Sequence, residues 1–424
     1  MKLNVFTAAL LCLPLWAAAQ GPQNDTAYID PTHMLGLAPR QDVGAVLQRA
    51  LSYGAANEHV LAEQALRRQA ASGPGEWTVT MGAARPRATD LPGSAGTDLE
   101  LSLERPLRWP GKRDVQSAHA EARVASSQAQ ARRAWVDNAR TLLSDLGGWL
   151  RESHQARILG SQVGLLRQQI DVVTRRQRLG DAAAVEVLQA HAALAQLQVQ
   201  STGADARERS ARSFLQTRYP GLQLQEMAPD ARPAALAWSD VQLLDLLVSG
   251  SAELELARRE AVAALALSRV DGAERRADPT VALKWTRTRQ GAEQSLGFAV
   301  SLPLGGDYRA AAASASAARA RAAAQLAEDQ QLRVRSEGQR RLADLGALRA
   351  QHQHSIEALR QLRQLVERIS RGYLMGEGSL TEVLLAQRQV LDQELGAAQL
   401  GVDFSLAQAQ LLLDAGQLWI APPP

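Results

Sequence analysis

Two kinds of apolar spacing alternate along this chain of 424 residues, and each predicts a different element. In Asp98-Leu99-Glu100-Leu101-Ser102-Leu103-Glu104 every second residue is leucine. A period of two places Leu99, Leu101 and Leu103 on one face of a strand and the polar residues on the other. The same alternation returns at 295–302, where Leu296, Phe298, Val300 and Leu302 share a face. Shorter runs at 77–83 and 280–286 precede these strands, and polar loops bearing Gly or Pro at 85–96 and 287–293 join them into two hairpins.

Elsewhere the spacing is helical. No proline occurs from Gly111 to Tyr219, and none from Leu304 to Ala421. Both stretches are rich in Ala, Leu, Arg, Gln and Glu, which favour helix. Residues 112–177 and 306–371 as continuous helices would each reach about 100 Å. Helices of that length belong to coiled coils or extended barrels rather than to a globular core. Leu359, Leu362, Val366, Ile369 and Tyr373 recur three and four apart, the coiled-coil spacing. Gly180 and Gly376 can take positive φ and stop each long helix. Outgoing helices start near Ala183 and Ser379, the latter an N-cap residue with Glu382 at its third helical position.

The second half of the chain echoes the first at an offset near 196. Leu179-Gly180-Asp181 and Val185 to Ala190 recur as Met375-Gly376-Glu377 and Thr381 to Ala386; Pro106-Leu107 recurs as Pro303-Leu304, and Asp42-Val43 as Asp240-Val241. Each half is expected to run helix, strand, strand, very long helix, tight turn, helix. The expected segments are a signal peptide at 1–19, a first repeat at 20–219 (hairpin 77–105, tip near 180), a linker at 220–238, a second repeat at 239–417 (hairpin 280–303, tip near 376) and a tail at 418–424. The stretch 20–40 and the tail are expected to be irregular.

Composition narrows the picture. Lys2, the apolar run Leu3–Trp16 and Ala17-Ala18-Ala19 form a secretory signal pattern, too short for a membrane anchor. The single cysteine, Cys12, lies inside it, so thiolate chemistry and disulfides are excluded from the mature chain. A net charge of +3, with no basic run interleaved with aromatics, argues against nucleic acid. No later stretch is apolar enough for a membrane helix, so any membrane-spanning part must be built of strands. Four strands cannot close a barrel, and open edges are forbidden in lipid. Strands in a membrane would therefore be pooled between copies, two giving eight and three giving twelve.

The segments Glu100 to Leu107 and Gly111-Lys112-Arg113, the echo Val300 to Leu304, and the two tip motifs at Gly180–Ala190 and Gly376–Ala386 resemble the TolC-type outer-membrane efflux family, most closely its heavy-metal-resistance, CzcC-like branch. The resemblance spans essentially the whole mature chain. It implies a mainly α fold with a small β part. Long helical hairpins would form a trimeric α-barrel tunnel continued by a transmembrane β-barrel of four strands per chain. The localisation it implies is the bacterial outer membrane with a periplasmic extension. Its partners would be further copies of the chain, outer-membrane lipid, a periplasmic adaptor gripping the tips at Gly180, Gly376 and Gly378, and an inner-membrane pump of the RND type. Leu99, Leu101, Leu103, Leu296, Phe298 and Val300 would face lipid. In the family an acid ring closes the tunnel just after the second tip glycine. The matching position is Glu382, with Glu377, Glu186 and Asp181 nearby. A second family acid falls on Leu385, which weakens the ring here. Glu382 reads equally as a capping-box acid.

No enzymatic constellation is present. His352 and His354 are two apart on a helix and diverge, and His33, His59, His119, His154 and His191 are scattered without a partnered acid or nucleophile. No catalytic residue, cofactor or metal site is expected. The function implied is a passive exit duct for metal cations or small toxic compounds. The alternatives are a duct for type I protein secretion and, from another class, a periplasmic coiled-coil scaffold without a channel.

Overall fold

A computed structural model describes residues 40–73, 75–85, 97–224, 236, 238–288 and 293–419. The signal segment, Cys12, His33, the middle of the linker and most of both hairpin loops lie outside them.

The elements follow in the order α1 (Arg40–Gln48), α2 (Leu51–Ser72), β1 (Thr78–Ala84), β2 (Asp98–Pro106), α3 (Lys112–Arg178) and α4 (Ala184–Arg218). Then come α5 (Asp240–Gly250), α6 (Ala252–Ala273), β3 (Thr280–Thr288), β4 (Glu293–Ser301), α7 (Asp307–Leu374) and α8 (Leu380–Asp414). The long helices have 67 and 68 residues, about 100 Å each. The expectation of one helix before each hairpin is corrected: there are two. Ala50, in extended conformation, parts α1 from α2. Ser251 parts α5 from α6 and caps the latter by accepting from the Leu254 N–H at 3.2 Å; its hydroxyl satisfies a donor that the new helix leaves free.

The four strands form one antiparallel sheet in the order β1-β2-β3-β4. The register aligns Val79, Leu103, Leu283 and Phe298 in one row and Met81, Leu101, Trp285 and Leu296 in the next. A row of Arg105, Val281 and Val300 bounds this apolar face toward the helices, and a row of Ala83, Leu99, Arg287 and Gln294 bounds it toward the loops. The opposite face is polar: Lys284 pairs with Glu100, and Thr286 and Ser295 share a hydrogen bond of 2.6 Å. β1 and β4 each keep one unpaired edge within the chain.

The helices form open layers of four as well. Near the sheet the neighbours run α2, α3, α6, α7; toward the tips they run α4, α3, α8, α7. The main core lies where the tiers meet. Trp135, Leu142, Leu143, Leu146, Trp149 and Leu150 of α3 pack there with Val402, Leu406 and Leu412 of α8 and Leu47 of α1. The expected tail begins inside this core: Leu418 and Trp419 are buried, and the Trp135 indole N–H donates to the Trp419 carbonyl at 2.7 Å. Charge pairs lace the same level together. Asp414 of α8 accepts from Arg140 of α3 at 2.8 Å and from Arg341 of α7, and Arg140 also reaches Glu253 of α6 at 2.6 Å.

Candidate functional site: the paired hairpin tips and the apolar sheet

Both tips close with one set of backbone bonds. Gly180 and Gly376 take φ of 85° and 84°, where a side chain would be strained. The Asp181 N–H donates to the Arg176 carbonyl and the Glu377 N–H to the Gly372 carbonyl, each at 2.9 Å. The Gly180 and Gly376 N–H groups donate to Gln177 and Tyr373 at 3.1 Å. These six-to-one and five-to-two bonds satisfy carbonyls the helix ends leave open.

The outgoing helices start differently. Ala183 gives α4 no side-chain cap. Ser379 gives α8 a full capping box: its hydroxyl accepts from the Glu382 N–H, and the Glu382 carboxylate accepts from the Ser379 N–H, both at 3.3 Å. Glu382 is exposed with its carboxylate turned back onto its own helix start, and Gly378 leaves room for it: a Cβ there would lie 3.4 Å from Glu382 Oε2. Asp181 and Glu377 are exposed at the turns.

Glu186 alone of the four candidate acids is tied to the other hairpin. The Tyr373 hydroxyl donates to it at 2.6 Å. Arg176 of α3 lies 4.6 Å from the centre of the Tyr373 ring and donates to the Tyr373 carbonyl at 3.1 Å. Burial, then the bond to Glu186, pushes the Tyr373 phenol up to about 12, because both disfavour the phenolate. With Tyr373 of α7, the buried residues Ile170, Val173, Ala190, Leu380 and Val383 form a small core shared by all four helices. Sequence spacing gave Tyr373 only as a coiled-coil position. Its pairing with Glu186 and Arg176 was missed, although all three lie within or beside the two tip motifs. Above the tips a cleft of about 890 Å³ opens between the helix pairs, lined by Leu165, Val172, Leu384, Leu385, Arg388 and Asp392 among others.

At the other end, the six residues expected to face lipid lie on the apolar sheet face. Leu296 and Phe298 are each 71% exposed, Val300, Leu99 and Leu101 are exposed, and Leu103 is half-buried. Exposed apolar surface of this extent marks a face meant for lipid or protein. Among the described residues no helix is long and apolar enough to cross a membrane, and no group of three acids or histidines could hold a metal ion.

No protein-family profile matches the chain, and no curated protein does. Solved structures do. The outer membrane protein VceC of Vibrio cholerae is similar at 17% identity and TM-score 0.70, over 93% of this chain and 98% of that one. CusC, solved for its transmembrane channel formation, is similar at 14% identity and TM-score 0.73, over 94% and 95%. The CmeC outer membrane channel of Campylobacter jejuni is similar at 13% identity and TM-score 0.70, over 100% and 96%. The described residues therefore have the TolC-like channel fold: long helical hairpins carrying a four-stranded antiparallel sheet.

Proposed function

We propose that three copies of this chain form an outer-membrane channel, the exit duct of a tripartite efflux system. One observation carries the reading: every tier of the chain is an open layer of four elements with two free edges, β1 and β4 in the sheet, α2 and α7 above, α4 and α7 below. The sheet also bares an apolar face. Backbone groups at an open edge cannot be left unpaired in hydrocarbon. Three copies supply twelve strands for a barrel and twelve helices for a tunnel, and close every edge together. The polar sheet face then lines water and the apolar face meets lipid, as in membrane barrels. The channel-named structural neighbours support the same reading.

The two sequence repeats would supply alternate sectors of the closed wall. The exposed tips at Gly180, Gly376 and Gly378 present Leu179, Leu374 and Met375 to solvent, a surface suited to a periplasmic adaptor carrying substrate from an RND-type pump. The cargo is metal cations, in keeping with the CzcC-like resemblance, or small toxic compounds. Conduction is passive: the tips part and the tunnel opens. Asp181, Glu186, Glu377 and Glu382 from three subunits would gather cations at that mouth. A periplasmic scaffold without a channel gives the bare apolar face no role, and a type I secretion duct differs only in its cargo.

The protein should run from outer-membrane fractions as a heat-modifiable trimer. A chain that stays monomeric in water without detergent sinks the pore. For the acid ring, Glu382→Gln is the informative variant because Gln also completes a capping box. Single-channel recordings should then show weaker cation selectivity with the fold intact; unchanged selectivity removes the ring.

A further inference from the structure

Arg105 occupies an unusual place. It stands on the apolar face of the sheet, in the last row before the helices, aligned with Val281 and Val300. Its guanidinium lies 5.1 Å from the centre of the Trp77 ring, and Trp77 is 57% exposed. Gly75 leaves the space: a Cβ there would come within 3.1 Å of Arg105 Nη2. Among the described residues no carboxylate pairs with Arg105. Close by, Arg108 Nη1 rests 4.0 Å from where a Cβ on Gly73 would sit, and it is buried with no hydrogen-bond partner among the described residues. Two guanidinium groups thus lie against Gly73 and Gly75. Three other basic residues of this end are engaged: Lys112 with Glu274 and Asp278, Arg113 with the Ala71 carbonyl, Arg309 with the Glu274 carbonyl.

We propose that Arg105, stacked on Trp77 and backed by Arg108, is a clamp for the phosphate of a phospholipid headgroup at the helix-side boundary of the apolar face. This rests on the channel reading, which puts that face in a bilayer. An arginine at the rim of an apolar surface sends its head toward the headgroup layer, and tryptophan is enriched at the same depth. Stacking on the indole holds the guanidinium plane while leaving its N–H edge free. That edge matches two phosphate oxygens at once, which the point charge of lysine does not. The lipid is the source of the phosphate because the guanidinium is continuous with the rows of Leu103, Leu283 and Phe298 that would hold its acyl chains.

Native mass spectrometry of the full-length protein in detergent, titrated with phosphatidylglycerol or with diacylglycerol of the same chains, reads the clamp. The native protein should retain phosphatidylglycerol at least fivefold better than diacylglycerol. Arg105→Gln should erase that preference, and Arg105→Lys should keep part of it. An unchanged preference in Arg105→Gln overturns the clamp, and inorganic phosphate competing at concentrations equal to the lipid overturns the assignment to a lipid. A separate arm tests the underlying reading. A polarity-sensitive dye on Phe298→Cys, in vesicles, should report hydrocarbon. Water there removes bilayer and clamp together, whereas hydrocarbon there with an unchanged Arg105→Gln removes the clamp alone.

Discussion

The two helical hairpins have nearly equal lengths and the same turn, yet they bury opposite members. In the first, the incoming helix α3 buries 20 residues and the outgoing α4 only four. In the second, α7 buries eight and α8 buries 15. The inner pair α3 and α8 makes the protomer's core, and the outer pair α4 and α7 makes its margins. Exposed apolar residues on the margins, such as Val199 and Leu332, have no work inside one chain. One helix pattern thus serves two ends, stability from the inner pair and, in the proposed trimer, association from the outer.

Substitutions can break that division. Trp149→Ala on α3 removes a fully buried ring and should cost about 3–5 kcal/mol in denaturant unfolding. Leu332→Ser on α7 should leave protomer unfolding almost unchanged while lowering the temperature at which the trimer dissociates on gels. Equal effects from the two would erase the distinction. A second test is acidity. Burial first, and Arg157 second, lower the His154 imidazole on α3 to about 4. A histidine with a depressed folded value contributes its full share above its unfolded value near 6.5 and loses it as pH falls toward 4. Unfolding scans should show up to about 3 kcal/mol lost across that window, and His154→Phe should flatten the slope.

Smaller effects follow. Gly250→Ala would put a Cβ 2.6 Å from the Ala415 carbonyl oxygen, where α5 meets the end of α8. Overpacking against backbone should cost about 1–3 kcal/mol, read as a lower melting temperature. At the tips, Ser379→Ala should cost about 1 kcal/mol, and Ala183→Ser should recover a part of that at the uncapped start of α4. Hydrogen exchange of the first turns of α8 and α4 reports each. Tyr373→Phe removes the one hydrogen bond from this ring to the Glu186 carboxylate, about 1.5 kcal/mol for a part-buried bond to a charged group. It should raise the open time of single channels. Because the phenol is pushed up to about 12, the native contact should hold through neutral pH and fail only as pH climbs from about 10 toward 12.

Much of this was legible in the chain. The α3 start at Lys112, the positive φ of the two tip glycines and the alternating leucines are local signals, each fixed within a few residues by helix propensity, a turn or a period of two. The break at Ser251 had a local signal too, in Gly250-Ser251, but the apolar periodicity running through it hid the cap. Trp419 was read with the prolines at 422–424 as tail, whereas its partner Trp135 is remote in sequence. The Tyr373–Glu186 bond is likewise remote, and no spacing within either tip announces it. The order of neighbours α4, α3, α8, α7 depends on which faces meet, which a single sequence with apolar residues around much of each helix leaves open.

The unpaired borders of β1 and β4 carry a consequence for biogenesis. A newly exported copy bares rows of leucine and phenylalanine beside backbone donors with nowhere to bond, the features that seed aggregation. If three copies close the barrel as proposed, its safety depends on meeting two siblings quickly, and encounters of three rise with roughly the cube of concentration. On that proposal, underproduction would deplete finished trimers far more than in proportion.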